Sequence, residues 1–141
     1  MDVNTFNIIL EDTVEYAVDN ELGLVELARK GVLKKAVQNL ANFASISMKE
    51  IATLLPISER SLQRYSDTDR LNSGISEHIL IISKVMLRAE EVLGSSEKLR
   101  NWLNSPSIGL GQRTPISLLD TSFGAQLVMD ELGRLEYGVF A

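Results

Sequence analysis

The chain contains no cysteine and a single histidine, His78. That excludes disulfides and thiolate metal sites, and it leaves no cluster of ligand types for a transition metal. No apolar run approaches the roughly 20 residues that a membrane-spanning helix needs; the most apolar stretch, Ile79 to Leu87, is broken by Ser83 and Lys84. Met1-Asp2-Val3-Asn4 carries no basic region ahead of an apolar block, so no export signal is expected. There are no internal repeats, no low-complexity tracts and no run of alternating strand residues. A nucleophile–base pair or clustered acid dyad is also missing. Gly109-Leu110-Gly111 has neither the preceding strand nor the full glycine fingerprint of a nucleotide-binding turn. These absences predict an all-α protein with no cofactor, metal or membrane, and they agree with a cytoplasmic one.

What is present suits one domain or two small ones. The 141 residues are 45% hydrophobic and 23% charged, enough to bury a real core. A net charge of -5 argues against nucleic-acid binding through the global field. The charges are unevenly placed, however: acids crowd the first twenty-six positions, while bases gather at Arg29, Lys30, Lys34 and Lys35 and again at Lys49, Arg60, Arg64 and Arg70.

Residues 1–23 read as an acidic arm, a weak helix or a partly ordered segment, with Ile8, Ile9, Leu10, Val14 and Tyr16 among its carboxylates. Helical patterns follow at Leu24 to Arg29 and Val32 to Phe43, with Leu33, Val37, Leu40 and Ala44 spaced to share one face. Ser47-Met48-Lys49-Glu50 has capping-box spacing and marks a helix start. Pro56 ends that helix, and Ser58 caps the next. Two short helices joined at Leu55-Pro56-Ile57, with Ile51, Ala52, Leu55, Ile57 and Leu62 placed to touch, form a helix-turn-helix pattern. Its second helix carries Glu59, Arg60, Ser61, Gln63 and Arg64, which together with Ser58 and Lys49 could reach base edges and phosphates. A solvated polar helix is the alternative reading of the same residues. If DNA is read, one such helix covers too few bases, so a homodimer with recognition helices about 34 Å apart is expected.

Asp67 to Gly74 reads as a loop. From Ser76 to Leu93 the pattern is strongly helical, stopped by Gly94, and predicts the spine of the core. Another helix opens at Ser95-Ser96-Glu97 and carries Leu99, Trp102 and Leu103. Thr114-Pro115 starts a short turn, and a last helix near Phe123 to Leu135 places Phe123, Leu127, Val128, Leu132 and Leu135 on one face. The division expected is 1–23 arm, 24–75 helix-turn-helix region and 76–141 C-terminal domain.

Ile57-Ser58-Glu59-Arg60-Ser61-Leu62-Gln63-Arg64 is one of several quotable matches to a known family. Others are Trp102-Leu103, Ser105-Pro106, Leu110-Gly111, Thr114-Pro115, Leu118-Leu119, Thr121, Gly124, Val128, Leu132 and Glu136-Tyr137-Gly138. In these the chain resembles, over about residues 24–141, the Xre/MbcA/ParS antitoxins that are paired with RES-domain toxins. The sequence departs from the family pattern at Gln112, where a second glycine is usual, and at Ser76-Glu77-His78. The resemblance implies a Cro/Xre-like helix-turn-helix bundle followed by a helical toxin-binding domain. It further implies neutralisation of a toxin that degrades NAD or transfers ADP-ribose from it, repression of the protein's own operator DNA, and a protein that is not itself an enzyme and takes no small-molecule substrate. The toxin-facing residues expected on that basis are Arg113, Glu136, Tyr137, Gly138, Val139, Phe140 and Ala141. The competing reading is a helix-turn-helix regulator whose C-terminal domain senses a ligand.

Overall fold

The computed structural model describes residues 21–138. Expectations for residues 1–20 and for Val139, Phe140 and Ala141 therefore lie outside the described residues. Within them the chain is all-α: α1 (Glu21–Lys30), α2 (Lys35–Ala44), α3 (Met48–Thr53), α4 (Glu59–Gln63), α5 (Ser73–Leu93), α6 (Ser96–Leu103) and α7 (Ser122–Glu136). Two 3-10 turns, Ile108–Leu110 and Pro115–Leu118, lie between α6 and α7. Among the described residues no helix is long and apolar enough to cross a membrane.

The starts of these helices are written in their caps. Ser47 Oγ accepts from the Glu50 amide at 3.0 Å, and Ser95 Oγ accepts from that of Lys98 at 3.2 Å. Gly94, at φ +93°, closes α5 in the left-handed conformation that glycine adopts without steric cost. The start of α5 differs from the sequence reading. Asn72 Oδ1 accepts from the Ile75 amide at 2.9 Å, so the helix begins at Ser73 rather than Ser76. Asn-Ser-Gly has the composition of a loop, but one capping bond outweighs the weak helix propensity of Ser73 and Gly74.

α5 is the spine. Four of its charged residues, Glu77, Lys84, Arg88 and Glu91, recur at spacings of seven, four and three in a single stripe, while Glu90 turns aside to accept from Ser96 Oγ. Most of the rest of its surface is covered, and Ile79, Ile82, Val85, Met86 and Ala89 are buried. α1 and α7 pack along it, and α6 packs near its end. Each fully buried aliphatic chain contributes roughly 1.5–3 kcal/mol of apolar transfer free energy, and the set extends through Leu99, Leu103 and Leu119 into the C-terminal region. His78 joins the same regions: its Nε2 donates to the Leu119 carbonyl at 2.7 Å. The expected boundary at 75/76 falls in the first turn of α5, so the two flanking segments share one helix.

Residues 31–35 and 67–71 lie side by side. Leu71 N donates to the Val32 carbonyl at 2.9 Å and Lys34 N to the Asp69 carbonyl at 2.9 Å. Leu33, expected on the helical face with Val37, instead forms an isolated bridge with Arg70. Ser76, fully buried, locks the crossing. Its hydroxyl accepts from Val32 N at 3.0 Å and donates to the Leu71 carbonyl at 3.1 Å. Gly31, at φ +98°, has room for no side chain, because a Cβ would sit 2.4 Å from the Leu71 carbonyl oxygen.

Two substitutions test this crossing. Gly31→Ala is expected to lower stability by about 2 kcal/mol or more, through the left-handed backbone and the clash together. Ser76→Ala should cost about 1–3 kcal/mol by leaving buried backbone groups unpaired. An unchanged urea midpoint in either variant would show that the crossing does not hold the fold.

Candidate functional site

Two surfaces carry the residues singled out in the sequence. The first is built by α3, the turn through Pro56, and α4. Ile51, Ala52, Leu55 and Leu62 are buried at the contact, and Ile57 is half-buried against the core. Ser58 caps α4: its Oγ accepts from the Ser61 amide at 3.1 Å and donates to Ser61 Oγ at 2.9 Å. The two hydroxyls therefore brace the first turn as well as facing outward. Glu59 Oε1 accepts from Gln63 Nε2 at 3.4 Å, which holds part of the glutamine amide against its own helix. Lys49, Arg60 and Arg64 are exposed, and none of the three forms an ion pair among the described residues. An exposed guanidinium at each end of a short, braced helix can fork onto a guanine edge or a phosphate.

The second surface lies on α7 and the turns before it. The 107–113 turn is closed by Ser107 N to the Arg113 carbonyl (3.0 Å) and Gln112 N to the Ser107 carbonyl (2.8 Å). It carries Arg113 exposed on its rim. Gln112 sits at φ 65°, a left-handed position where a glycine would be unstrained. The turn is pressed onto α7 at Gly109, where a Cβ would lie 2.1 Å from Glu131 Oε2. Glu131 is 3% exposed, and its carboxylate accepts from Arg134 NH2 at 2.7 Å and Nε at 3.2 Å. At the far end of α7, Glu136 pairs with Arg88 of α5, Tyr137 is 79% exposed, and Gly138 is exposed.

The rotation of α7 differs from the hydropathy reading. Its buried residues are Gly124, Ala125, Val128, Glu131 and Leu132. Phe123 and Leu127, expected on the core face, are 88% and 52% exposed. The cause is the glycine: Gly124 packs so closely that a Cβ would fall 1.8 Å from the Leu118 carbonyl oxygen. That contact turns the small residues inward and the aromatic outward. Leu127 lines a groove of about 310 Å³ with Gly109, Leu110, Gly111, Arg113 and Leu118, and Ile108, in the turn that forms it, is 82% exposed.

Residues 23–80 match the family model described as the antitoxin Xre-like helix-turn-helix domain. Residues 88–138 match the antitoxin Xre/MbcA/ParS C-terminal toxin-binding domain. A protein named Antitoxin Xre from Yersinia enterocolitica is 38% identical over 120 residues, which cover 84% of this chain and 81% of that one. The chain belongs to the Xre/MbcA/ParS antitoxin family. Another Antitoxin Xre, from Photorhabdus laumondii, is 30% identical over 129 residues, covering 90% of this chain and 87% of its own length. Among solved structures, a chain of the M. tuberculosis MbcT–MbcA toxin–antitoxin complex superimposes with a TM-score of 0.57 at 22% identity, over 77% of this chain and 96% of that one. That likeness is one of fold.

The exposed residues Ile108, Phe123 and Leu127 of this antitoxin were missed as candidates in the sequence because periodicity assigned the last two to the core. The available signal was Gly124-Ala125, a small pair that marks the face of close approach. Gly124→Ala tests the rotation. The added methyl meets backbone, so α7 must shift, at an expected cost of about 1–3 kcal/mol in thermal or urea unfolding. A variant as stable as the parent would mean that the α7–Leu118 contact yields freely.

Proposed function

We propose that this antitoxin neutralises a cognate RES-domain toxin acting on NAD, by covering its active site with the C-terminal segment 76–141. In the same proposal it represses its own operon as a homodimer through the helix-turn-helix region 24–75, and it performs no catalysis itself. The observation that carries the toxin-binding half is the apolar surface on α7 and the turn before it. Monomeric soluble proteins rarely leave a phenylalanine, a leucine and an isoleucine this exposed on neighbouring elements without a partner to cover them. Aromatic and arginine side chains dominate protein interfaces, and Phe123, Tyr137 and Arg113 are of those types.

In this reading the patch of Phe123, Leu127 and Ile108 grips the toxin, and Glu136 to Ala141 extend from the same helix toward the mouth of its pocket. The Arg88–Glu136 pair steadies the last turn of α7, so Tyr137 is presented from a fixed base. For DNA, Arg60 and Arg64 supply the forked contacts, Lys49 and Ser58 reach phosphate, and Glu59, Ser61 and Gln63 face base edges.

The deciding experiment is induction of the gene beside this one, alone and with the antitoxin, scoring growth and cellular NAD. Arrest with falling NAD, relieved by co-expression, is the expected result; absence of toxicity from any neighbour removes the reading. Phe123→Ala and Leu127→Ala are each expected to weaken toxin binding by about 2 kcal/mol while operator binding persists. Arg60→Ala and Arg64→Ala should do the reverse, each losing about 1–3 kcal/mol of operator affinity in a gel shift. If removal of Val139 to Ala141 leaves neutralisation unchanged, blockade does not run through the tail.

A further inference from the structure

A second apolar surface lies on the opposite side of α7, away from Phe123. Along the charged stripe of α5, between α1 and α7, three adjoining cavities of about 230, 180 and 300 Å³ share Lys84. The floor is Ile81 and Val85; one wall is Leu24, Val25 and Ala28, and the other is Ala125 and Met129. Ile81 is an apolar residue in the middle of a stripe otherwise made of Glu77, Lys84, Arg88 and Glu91. Leu22 and Val25 on α1 are 66% and 42% exposed. Lys84 Nζ spans the groove to Glu21, at 3.0 and 3.2 Å from its two carboxylate oxygens.

We propose that residues 1–20 of this chain are the occupant of that groove, joining α1 to α7 across α5. The position of Glu21 is the first argument: it is the first residue of α1, and its side chain lines two of the three cavities, so residues 1–20 join the chain beside the groove. Length is the second. From Glu77 to Glu91 the groove runs along about 21 Å of helix at 1.5 Å per residue, which twenty residues can traverse in any conformation.

Chemistry is the third argument. The segment holds Val3, Phe6, Ile8, Ile9, Leu10, Val14 and Tyr16, five carboxylates and no lysine or arginine. Apolar side chains match Ile81, Val85 and Met129; Lys84, paired with Glu21, lines all three cavities, with Glu77 and Glu91 lining one each. Residues 1–22 lie outside both matched family regions, 23–80 and 88–138, so the strap would be an element beyond those two domains. It would also tie α1, in the helix-turn-helix match, to α7, in the toxin-binding match.

The test is amide hydrogen exchange of the full chain, followed by mass spectrometry, in the parent and in Ile81→Asp and Lys84→Glu variants. Residues 3–16 are expected to exchange at least about tenfold more slowly than an open chain, at a rate unchanged on roughly hundredfold dilution. Ile81→Asp should release that protection while α3 and α4 keep theirs; if Ile81→Asp fails to fold, Lys84→Glu provides the same comparison. Open-chain exchange in the parent would overturn the proposal. So would protection lost on dilution, which makes a second copy the occupant, or protection that appears only when the toxin is added. Protection indifferent to both variants would place the segment elsewhere and overturn it equally.

Discussion

The helix-turn-helix exists as a held object because its two ends are pinned together. Everything from Lys35 to Ser66 is, topologically, a loop, and a loop's ends separate unless closing them is rewarded. The reward is the pairing of residues 31–35 with 67–71, capped by the buried Ser76 hydroxyl and by Arg70, whose NH1 donates to the Gly31 carbonyl at 2.6 Å. None of these bonds is strong alone, each adding about 1 kcal/mol net. Their location matters more than their sum. Ser76 belongs to α5, so the position of the helix-turn-helix unit is set by the same helix that carries the C-terminal half.

This shared helix explains how two unlike surfaces coexist on a small chain. α3 and α4 are short and draw little stability from their own length, so they depend on Leu62 and Ile51 being buried against their neighbours. The 3-10 turns and α7 depend on α5 in the same way, through His78 and the buried Ala125, Val128 and Leu132. A change in α5 would be felt at both surfaces, whereas a change at Arg60 or Phe123 would be felt at one.

Much of this was legible in the residues. Ser47, Ser58, Gly94 and Ser95 each announced a helix end by a local rule, because capping needs only the nearest few residues. The family signature was legible for a similar reason, since its residues lie in short fixed spacings. What could not be read depended on tertiary contacts or on a choice between two local rules. Asn72 had to be recognised as a cap amid residues that also suit a loop. Leu33 was drawn out of helix by Arg70, thirty-seven positions away. The rotation of α7 followed from a glycine against Leu118 and from Glu131, a carboxylate that hydropathy places in solvent and the fold buries beside Arg134.

The contact between Gly109 and Glu131 has a consequence for how such a sequence can change. A glycine that exists to admit a carboxylate binds the histories of two positions into one. An alanine at 109 has space only if the side chain at 131 retreats, and a retreat at 131 removes one acceptor of Arg134. Substitutions here are therefore easier in one order than in the other: shortening at 131 first opens room in the turn, whereas a residue larger than glycine at 109 must first displace the end of the Glu131 side chain. The same three positions that look independent on paper would drift as a linked set, and chimaeras that exchange the 107–113 turn between relatives would fail unless α7 travels with it.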